Sequence, residues 1–413
     1  MSAAGIASAG AALLRRDVGR SGRRHALLMA ALMLPSVVFV AACFLLPLAL
    51  FLFRGIDNSE IPLHLPRTVA AIGNWDGSGL PPEAVPAAMV EDLRPLAGTP
   101  QLAQLGRRLN YALPGFRGLL TRTARRLPPA GSPDMAAALA RIDAKWAEPA
   151  TWAVIRQQSG RLTDFYLLTA LDLERQADGS IARVHPEQAI FLSLYGRTLV
   201  TSLGVTLICL LIGFPVAAVM AAASPATANL LQMLVLVPFW TSLLVRTTAW
   251  VILLQNNGLV NKALMALGLT DAPLALIYNR GGVFIAMVHV LLPYMVLPLY
   301  AVLRGIAPSH LRAAASLGAN PFRVFRTVYL PLSLPGVAAG CTLVFVLSVG
   351  FYVTPALVGG PGDQMIGYFI AYFTNSAVNW GQASALGALL LLMVAAIYLV
   401  VGRMIGLERL KVR

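Results

Sequence analysis

Long stretches of the chain carry no charge, among them Ala26 to Phe53, 28 residues, and Thr198 to Val245, 48 residues. A helix that crosses a bilayer uses about 20 apolar residues. The first stretch therefore predicts one span. The second predicts two, divided at Ser224-Pro225-Ala226-Thr227-Ala228-Asn229, where helix-breaking residues gather. Further apolar runs predict spans over residues 282–303, 329–356 and 383–402. The pattern is that of an all-α polytopic membrane protein with six transmembrane helices.

Between the first two spans, residues 54–190 differ in character. Residues 54–187 contain 14 of the chain's 18 acidic residues and 15 of its 32 basic ones. That is long enough for a small core of its own. Its first part, around Gly77-Ser78-Gly79-Leu80-Pro81-Pro82, reads as irregular. Helices are predicted over Asp134 to Trp146, opened by Ser132-Pro133, and over Thr151 to Leu162. Leu162 to Leu173 fits a strand or a helix equally. The segment is either an elaborated loop or a docking surface for a partner outside the membrane.

Composition agrees with the spans: 57% of residues are hydrophobic and 12% charged, where soluble domains carry about a quarter charged. Basic residues outside the spans fall into three clusters. These are Arg15, Arg16, Arg20, Arg23 and Arg24; Arg304, Arg312, Arg323 and Arg326; and Arg403, Arg409, Lys411 and Arg413, with only Asp17 and Glu408 among them. Six crossings put all three on one side, which the positive-inside rule makes the cytoplasm. Both termini, 1–25 and 403–413, are then cytoplasmic, and residues 54–190 are extracytoplasmic. The net charge of +14 thus reflects topology and gives no reason to expect nucleic acid. Cys43, Cys209 and Cys341 all fall in spans and read as packing residues. Val40-Ala41-Ala42-Cys43 resembles a lipidation box, but the apolar run continues to Phe53, which favours a retained anchor over residues 26–53.

No catalytic or metal site is predicted. Phosphate loops, dinucleotide fingerprints, zinc-protease helices and serine-nucleophile elbows are missing from the sequence. His25, His64, His185, His289 and His310 are scattered without metal-ligand spacing. Only His289 falls in a span, where an interhelical hydrogen bond is a commoner role than proton relay. The predicted spans contain no carboxylate, since Asp271 and Asp363 fall in outer loops. Ion-coupled carriers use ionisable groups at mid-depth, so energy for transport is expected from another subunit.

Residues 309–328 interrupt the apolar pattern. Ser309 is a candidate N-cap for a helix to Ser316. Leu311, Ala314, Ala315 and Gly318 then share a narrow small-residue face. Gly318 suits a left-handed helix end, and Asn320-Pro321 suit the cap and first turn of a second short helix bearing Phe322 and Phe325. Such an elbow fits a groove on another protein. The competing reading is an amphipathic helix on the bilayer surface.

The motif Ala313-Ala314-x-x-Leu317-Gly318-Ala319, followed by Phe325 and Leu330-Pro331-Leu332-x-Leu334-Pro335-Gly336, resembles the EAA loop of ABC importer membrane subunits. Further segments look like the spermidine/putrescine permease (PotB-like) branch. They are Val237-Pro238-Phe239-Trp240-Thr241, Arg246, Asn256 to Leu259, Leu291-Leu292-Pro293-Tyr294-Met295 and Pro298-Leu299-Tyr300. The resemblance covers residues 190–402 and the first span. It implies a type I ABC importer permease fold, with a core over 191–402 and a large extracytoplasmic insertion between the first two spans.

The resemblance further implies a second permease chain, a solute-binding protein and two cytoplasmic ATPases holding ATP and magnesium; this chain would bind no cofactor. The loop 309–328, through Arg312, Ala313, Ala314, Leu317, Gly318, Ala319, Pro321 and Phe325, would be the coupling helix in the ATPase groove. It also implies a bacterial inner-membrane location. The sequence departs from the family pattern in two places: Arg312 stands where a glutamate is usual, and the 54–190 insertion is unusually long.

Trp240, Arg246, Tyr294 and Tyr300 are candidate pathway residues. Aromatic rings can hold an organic cation. Arg246 either lines the path or pairs with a helix C-terminus. Polyamine is the leading solute class, with amino-acid-like or other small organic solutes as the alternative. The rival of another class is a membrane sensor or assembly protein.

Overall fold

The computed structural model describes residue 29 and residues 31–129, 131–176 and 179–405. The N-terminal arginine cluster and Glu408, Arg409, Lys411 and Arg413 lie outside them. The described residues form two compact units, one up to Arg54 and one from Gly55 onward.

In the first unit, helix α1 (Ala31–Phe53) is long and apolar enough to cross a bilayer. A π-turn at Ala41–Leu45 interrupts it, and the Leu46 amide reaches back to Ala41 O. Pro47 follows at once and has no amide hydrogen to give. The widened turn precedes the break that proline makes in the hydrogen-bond ladder.

The second unit opens with a helical insertion. Its helices are α2 (Glu60–His64), α3 (Pro66–Ile72), α4 (Ala84–Leu96), α5 (Pro100–Ala112), α6 (Phe116–Arg125), α7 (Met135–Ile142), α8 (Pro149–Gln157) and α9 (Phe165–Ala170). The stretch around Gly77–Pro82 is irregular as expected, over residues 73–83, but helices α2 and α3 precede it, where apolar Ile61, Leu65 and Ile72 are buried. These three join Met89, Leu93, Leu105, Leu109, Phe116, Leu120 and Trp152 in a core separate from that of the spans. The ring N–H groups of two core tryptophans are matched. Trp146 Nε1 donates to Thr123 Oγ1 at 2.8 Å, and Trp152 Nε1 to Trp146 O at 2.9 Å.

Two helix starts also differ from expectation. Helix α7 begins at Met135, capped by Asp134 rather than Ser132-Pro133. The Asp134 carboxylate accepts the Ala137 amide at 3.0 Å, and Glu83, from 52 residues away in sequence, accepts the Met135 amide. Helix α8 begins at Pro149 and stops at Gln157, because Pro149 fits the first helical position. The ambiguous 162–173 stretch resolves as α9, followed by β1 (Leu173–Arg175) paired antiparallel with β2 (Ile181–Arg183).

The membrane part comprises α10 (Phe191–Ala222), α11 (Pro225–Leu236), α12 (Leu243–Leu254), α13 (Leu259–Ala266), α14 (Arg280–Arg304), α15 (Pro308–Ser316), α16 (Pro321–Gly350), α17 (Val353–Val358), α18 (Ile366–Asn375) and α19 (Trp380–Ile405). Among the described residues, five helices are long and apolar enough to span, and a sixth crossing results if the bent pair Pro225–Trp240 and Leu243–Ala266 counts as one. The expected 329–356 span ends at Gly350, where Phe351 turns extended before α17.

Helices α10, α14 and α16 share the central core of Val205, Cys209, Met287, Leu291, Met295 and Val344. A second cluster joins the insertion to the spans, with Tyr166 of α9 against Phe191, Tyr195 and Leu386.

Candidate functional site

The elbow at 309–328 is built from two caps set back to back. Pro308, with no amide hydrogen, takes the first position of α15 and leaves Ala307 as N-cap, so Ser309 is not the cap. At the other end Gly318 adopts φ +82°. Its amide bonds Ala315 O at 3.0 Å, and the Ala319 amide bonds Ala314 O at 3.2 Å. This is the Schellman arrangement, in which a left-handed residue returns two amides to the last helical carbonyls. Asn320 then caps the next helix, its Oδ1 accepting the Arg323 amide at 2.8 Å, with Pro321 in the first turn.

The second arm is not a separate short helix. It continues through a π-turn at Phe325–Tyr329, ahead of Pro331, into the span ending at Gly350.

The faces of the elbow are also distributed differently from expectation. Leu311, Ala315 and Ala319 border a groove against Ala218 and Ala222 of α10, so the small-residue side faces the chain's own bundle. Phe325 meets Phe214 edge-on at 6.0 Å. The outward side carries Leu317, 88% exposed, and Phe322, 72% exposed. Exposed Arg312, Ala313 and Pro321 lie between, and Ala314 is half-buried. Arg312 makes no ion pair among the described residues.

The second notable geometry is the break between α11 and α12. After Leu236 the helix tightens into a 3-10 turn at Val237–Trp240, Thr241 is extended, and Ser242 caps α12 by accepting the Val245 amide at 3.2 Å. The two helices diverge by 97°. Such a break frees carbonyls that a helix would otherwise satisfy, and Arg246 takes them up. Its Nη2 donates to Pro238 O and, at 2.8 Å, to Thr241 O, while Nε donates to Thr241 Oγ1 at 3.2 Å. These bonds are a pairing with a helix C-terminus, one of the two roles left open by the sequence.

Arg246 and His289 border the same groove, beside Pro238, Thr241 and Pro293. Phe239 packs on Tyr294 at 4.9 Å between centroids, and Trp240 is 78% exposed. His289 Nδ1 accepts from Trp250 Nε1 at 3.1 Å, an interhelical bond between α14 and α12. Tyr300 stands apart from this group. It is buried near the far end of α14, and its hydroxyl accepts from Arg304 Nη1. Thr241-Ser242 lies inside an uncharged run, and Pro238 just before it is the local signal that could have marked the bend.

Comparison with known proteins places these features. Residues 190–408 match the family model for the binding-protein-dependent transport system inner membrane component. The spermidine/putrescine transport system permease protein PotB of Haemophilus influenzae is 36% identical over 215 residues, covering 51% of this chain and 75% of that protein. PotB of Escherichia coli is 34% identical over 214 residues, covering 51% and 78%. Among solved structures, a chain of a bacterial ABC transporter involved in the import of the acidic polysaccharide alginate aligns with a TM-score of 0.43 and 20% identity, covering 54% of this chain and 83% of that one. The family match begins where the insertion ends.

Proposed function

Since the chain belongs to the family of binding-protein-dependent transport system inner membrane components, with the all-α type I permease fold, we propose that it forms part of the translocation path of an importer for polyamines. It is a multi-pass permease subunit of the bacterial inner membrane, a transport component rather than an enzyme. The polyamine assignment is supported by the spermidine/putrescine permeases at 34–36% identity.

In this reading the core over 191–402 pairs with a second, different permease chain. Two ATPases, which hold the ATP and magnesium, seat the elbow 309–328. Both termini are cytoplasmic, and the insertion 54–190 faces the solute-binding protein. Trp240, Arg246, Tyr294 and Tyr300 are retained as candidate residues along the path, with Arg246 shaping the break. Arg312 at the usual glutamate position asks for an acidic rather than a basic contact on the ATPase.

The observation that carries this reading is the elbow. Caps on both sides of Gly318 fix its angle within four residues, and its outward apolar pair Leu317 and Phe322 needs a cover. Its second arm is one continuous helix of 30 residues, about 45 Å long. A displacement of the elbow is therefore delivered directly into a spanning helix.

The test is uptake of labelled spermidine and putrescine by membrane vesicles containing the chain with its co-purifying subunits. ATP-dependent uptake, competed by polyamines and not by amino acids, is expected. Competition by amino acids alone would move the solute class. Uptake by this chain alone under an ion gradient would overturn the importer reading.

A further inference from the structure

The α5–α6 hairpin has an unusual charge content. From Leu93 to Pro133 the chain contains seven arginines and no aspartate or glutamate, whereas the rest of residues 54–187 carries 14 acidic residues against eight basic ones. Three of the seven are used within the domain. Arg108 is buried, donating to Asn58 Oδ1 at 3.1 Å and Gln158 Oε1 at 2.6 Å. Arg94 donates to Pro128 O at 2.7 Å, and Arg122 pairs with Asp143. The other four, Arg107, Arg117, Arg125 and Arg126, are exposed and make no ion pair among the described residues.

Arg107, Arg117 and Arg125 share one side of the hairpin, and Arg126 follows at the C-terminal end of α6. Helices α5 and α6 are joined by residues 113–115 and pack closely. A Cβ on Gly106 would stand 3.4 Å from Arg117 Cα, which brings Arg107 beside Arg117. On α6, Arg117, Thr121 and Arg125 follow at i, i+4 and i+8, along one stripe. The apolar residues Leu105, Leu109, Leu119 and Leu120 point the other way, into the core. Four like charges without counter-charges raise the energy of the free domain, and an oppositely charged partner removes that repulsion.

We propose that this hairpin face is the docking surface for an acidic face of a soluble extracytoplasmic protein. The inference rests on the reading above that the insertion faces the solute-binding protein, and deepens it by naming the surface and its charge. A protein is favoured over anionic lipid because of where the hairpin is anchored. The Tyr111 hydroxyl, at the end of α5, donates to Ala377 O between α18 and α19 at 3.0 Å. Arg107 lies one turn from that anchor, but Arg125 and Arg126 lie at the opposite end of α6, about 12 Å farther along at 1.5 Å per residue. Headgroup binding calls for charges gathered at the anchored end.

Electrostatic complementarity of this kind acts mainly on the rate of association and on its salt dependence. The experiment uses the full chain in nanodiscs of phosphatidylcholine. The probe is the solute-binding protein recovered by cross-linking to the full chain in its native membrane, and association is followed by interferometry. Salt is raised from about 0.01 M to about 0.15 M, which shortens the screening length from about 30 Å to about 8 Å.

The wild-type chain should associate markedly faster at low salt. The variant combining Arg107→Gln, Arg117→Gln, Arg125→Gln and Arg126→Gln should associate about tenfold more slowly and lose the salt dependence, with unchanged thermal unfolding. Equal rates and salt dependence in variant and wild type would overturn the hairpin proposal alone. So would loss of binding to phosphatidylglycerol vesicles with protein association intact. No complex with the wild-type chain would overturn the docking reading as well.

Discussion

Replacing Arg246 with leucine removes the only charged group at the α11–α12 break while keeping its apolar stem. The side chain currently supplies three hydrogen bonds, two of them to the carbonyls of Pro238 and Thr241. Lipid chains offer no donor in exchange. A buried acceptor left unpaired costs about 1–3 kcal/mol, so two carbonyls cost about 2–6 kcal/mol. Measured hydrogen bonds within membranes fall nearer 0.6 kcal/mol on average. Because Thr241 Oγ1 still donates to Pro238 O at 3.0 Å, the lower end, about 2 kcal/mol, is expected. At roughly 2–4 °C per kcal/mol for large domains, thermal unfolding should shift down by about 4–8 °C. The assay is thiol-dye unfolding in detergent, reading Cys209 and Cys341 inside the bundle, with Cys43 replaced by serine. Arg246→Lys, which keeps one donor group, should recover part of the loss. Unchanged unfolding in Arg246→Leu with altered solute selectivity would refute the capping role and leave Arg246 with the pathway role alone.

Gly318→Val places a β-branched residue at φ +82°, a strain of about 1–2 kcal/mol. No atom lies within 4 Å of the added Cβ, so the chain should still insert. Uptake per ATP hydrolysed should drop several-fold, and normal coupling in reconstituted transporter would contradict the lever. Gly381→Val drives a Cβ to 2.2 Å from Tyr166 Cε2. Hydrogen exchange of residues 366–381 should accelerate while α14 keeps its protection; unchanged exchange would show that α9 does not clamp α19.

Most spans were legible because hydropathy over 20 residues is a sum, and single exceptions do not disturb it. Gly318 and Asn320-Pro321 were legible for a different reason: left-handed backbone and helix starts each demand few residue types. The break at Thr241-Ser242 was hidden from hydropathy because two small hydroxyl residues do not change an apolar average, and the arginine that stabilises it is five residues away. The insertion's caps were misplaced where long-range partners decide them. Glu83, the residue before α4, reaches the start of α7 from 52 positions away, and no local pattern announces that. The elbow's facing was misjudged because periodicity says which residues share a side, but not what that side meets. Leu311 and Ala315 turned out to face α10.

The insertion is fastened to the bundle by ties that would not survive independent motion. Asp172, at φ +55°, accepts the amides of Phe191 and Leu192 at 2.9 and 2.7 Å. The first orphan donors of α10 are thus capped by a residue 19 positions earlier, across the β1–β2 hairpin. Arg108 lies 4.7 Å over the Tyr166 ring, and burial pushes the Tyr166 hydroxyl up to about 12. That ring therefore stays neutral, and the contact is one of cation with ring face. The same ring sits on the backbone of Gly381 at the start of α19. Swinging the insertion away would uncap α10, expose Tyr166 and unseat α19 together, and these losses compound because the groups share neighbours. The cheaper motion keeps α9, the start of α10 and the start of α19 as one body, so that force applied at the α5–α6 hairpin arrives at the insertion-side ends of two spanning helices.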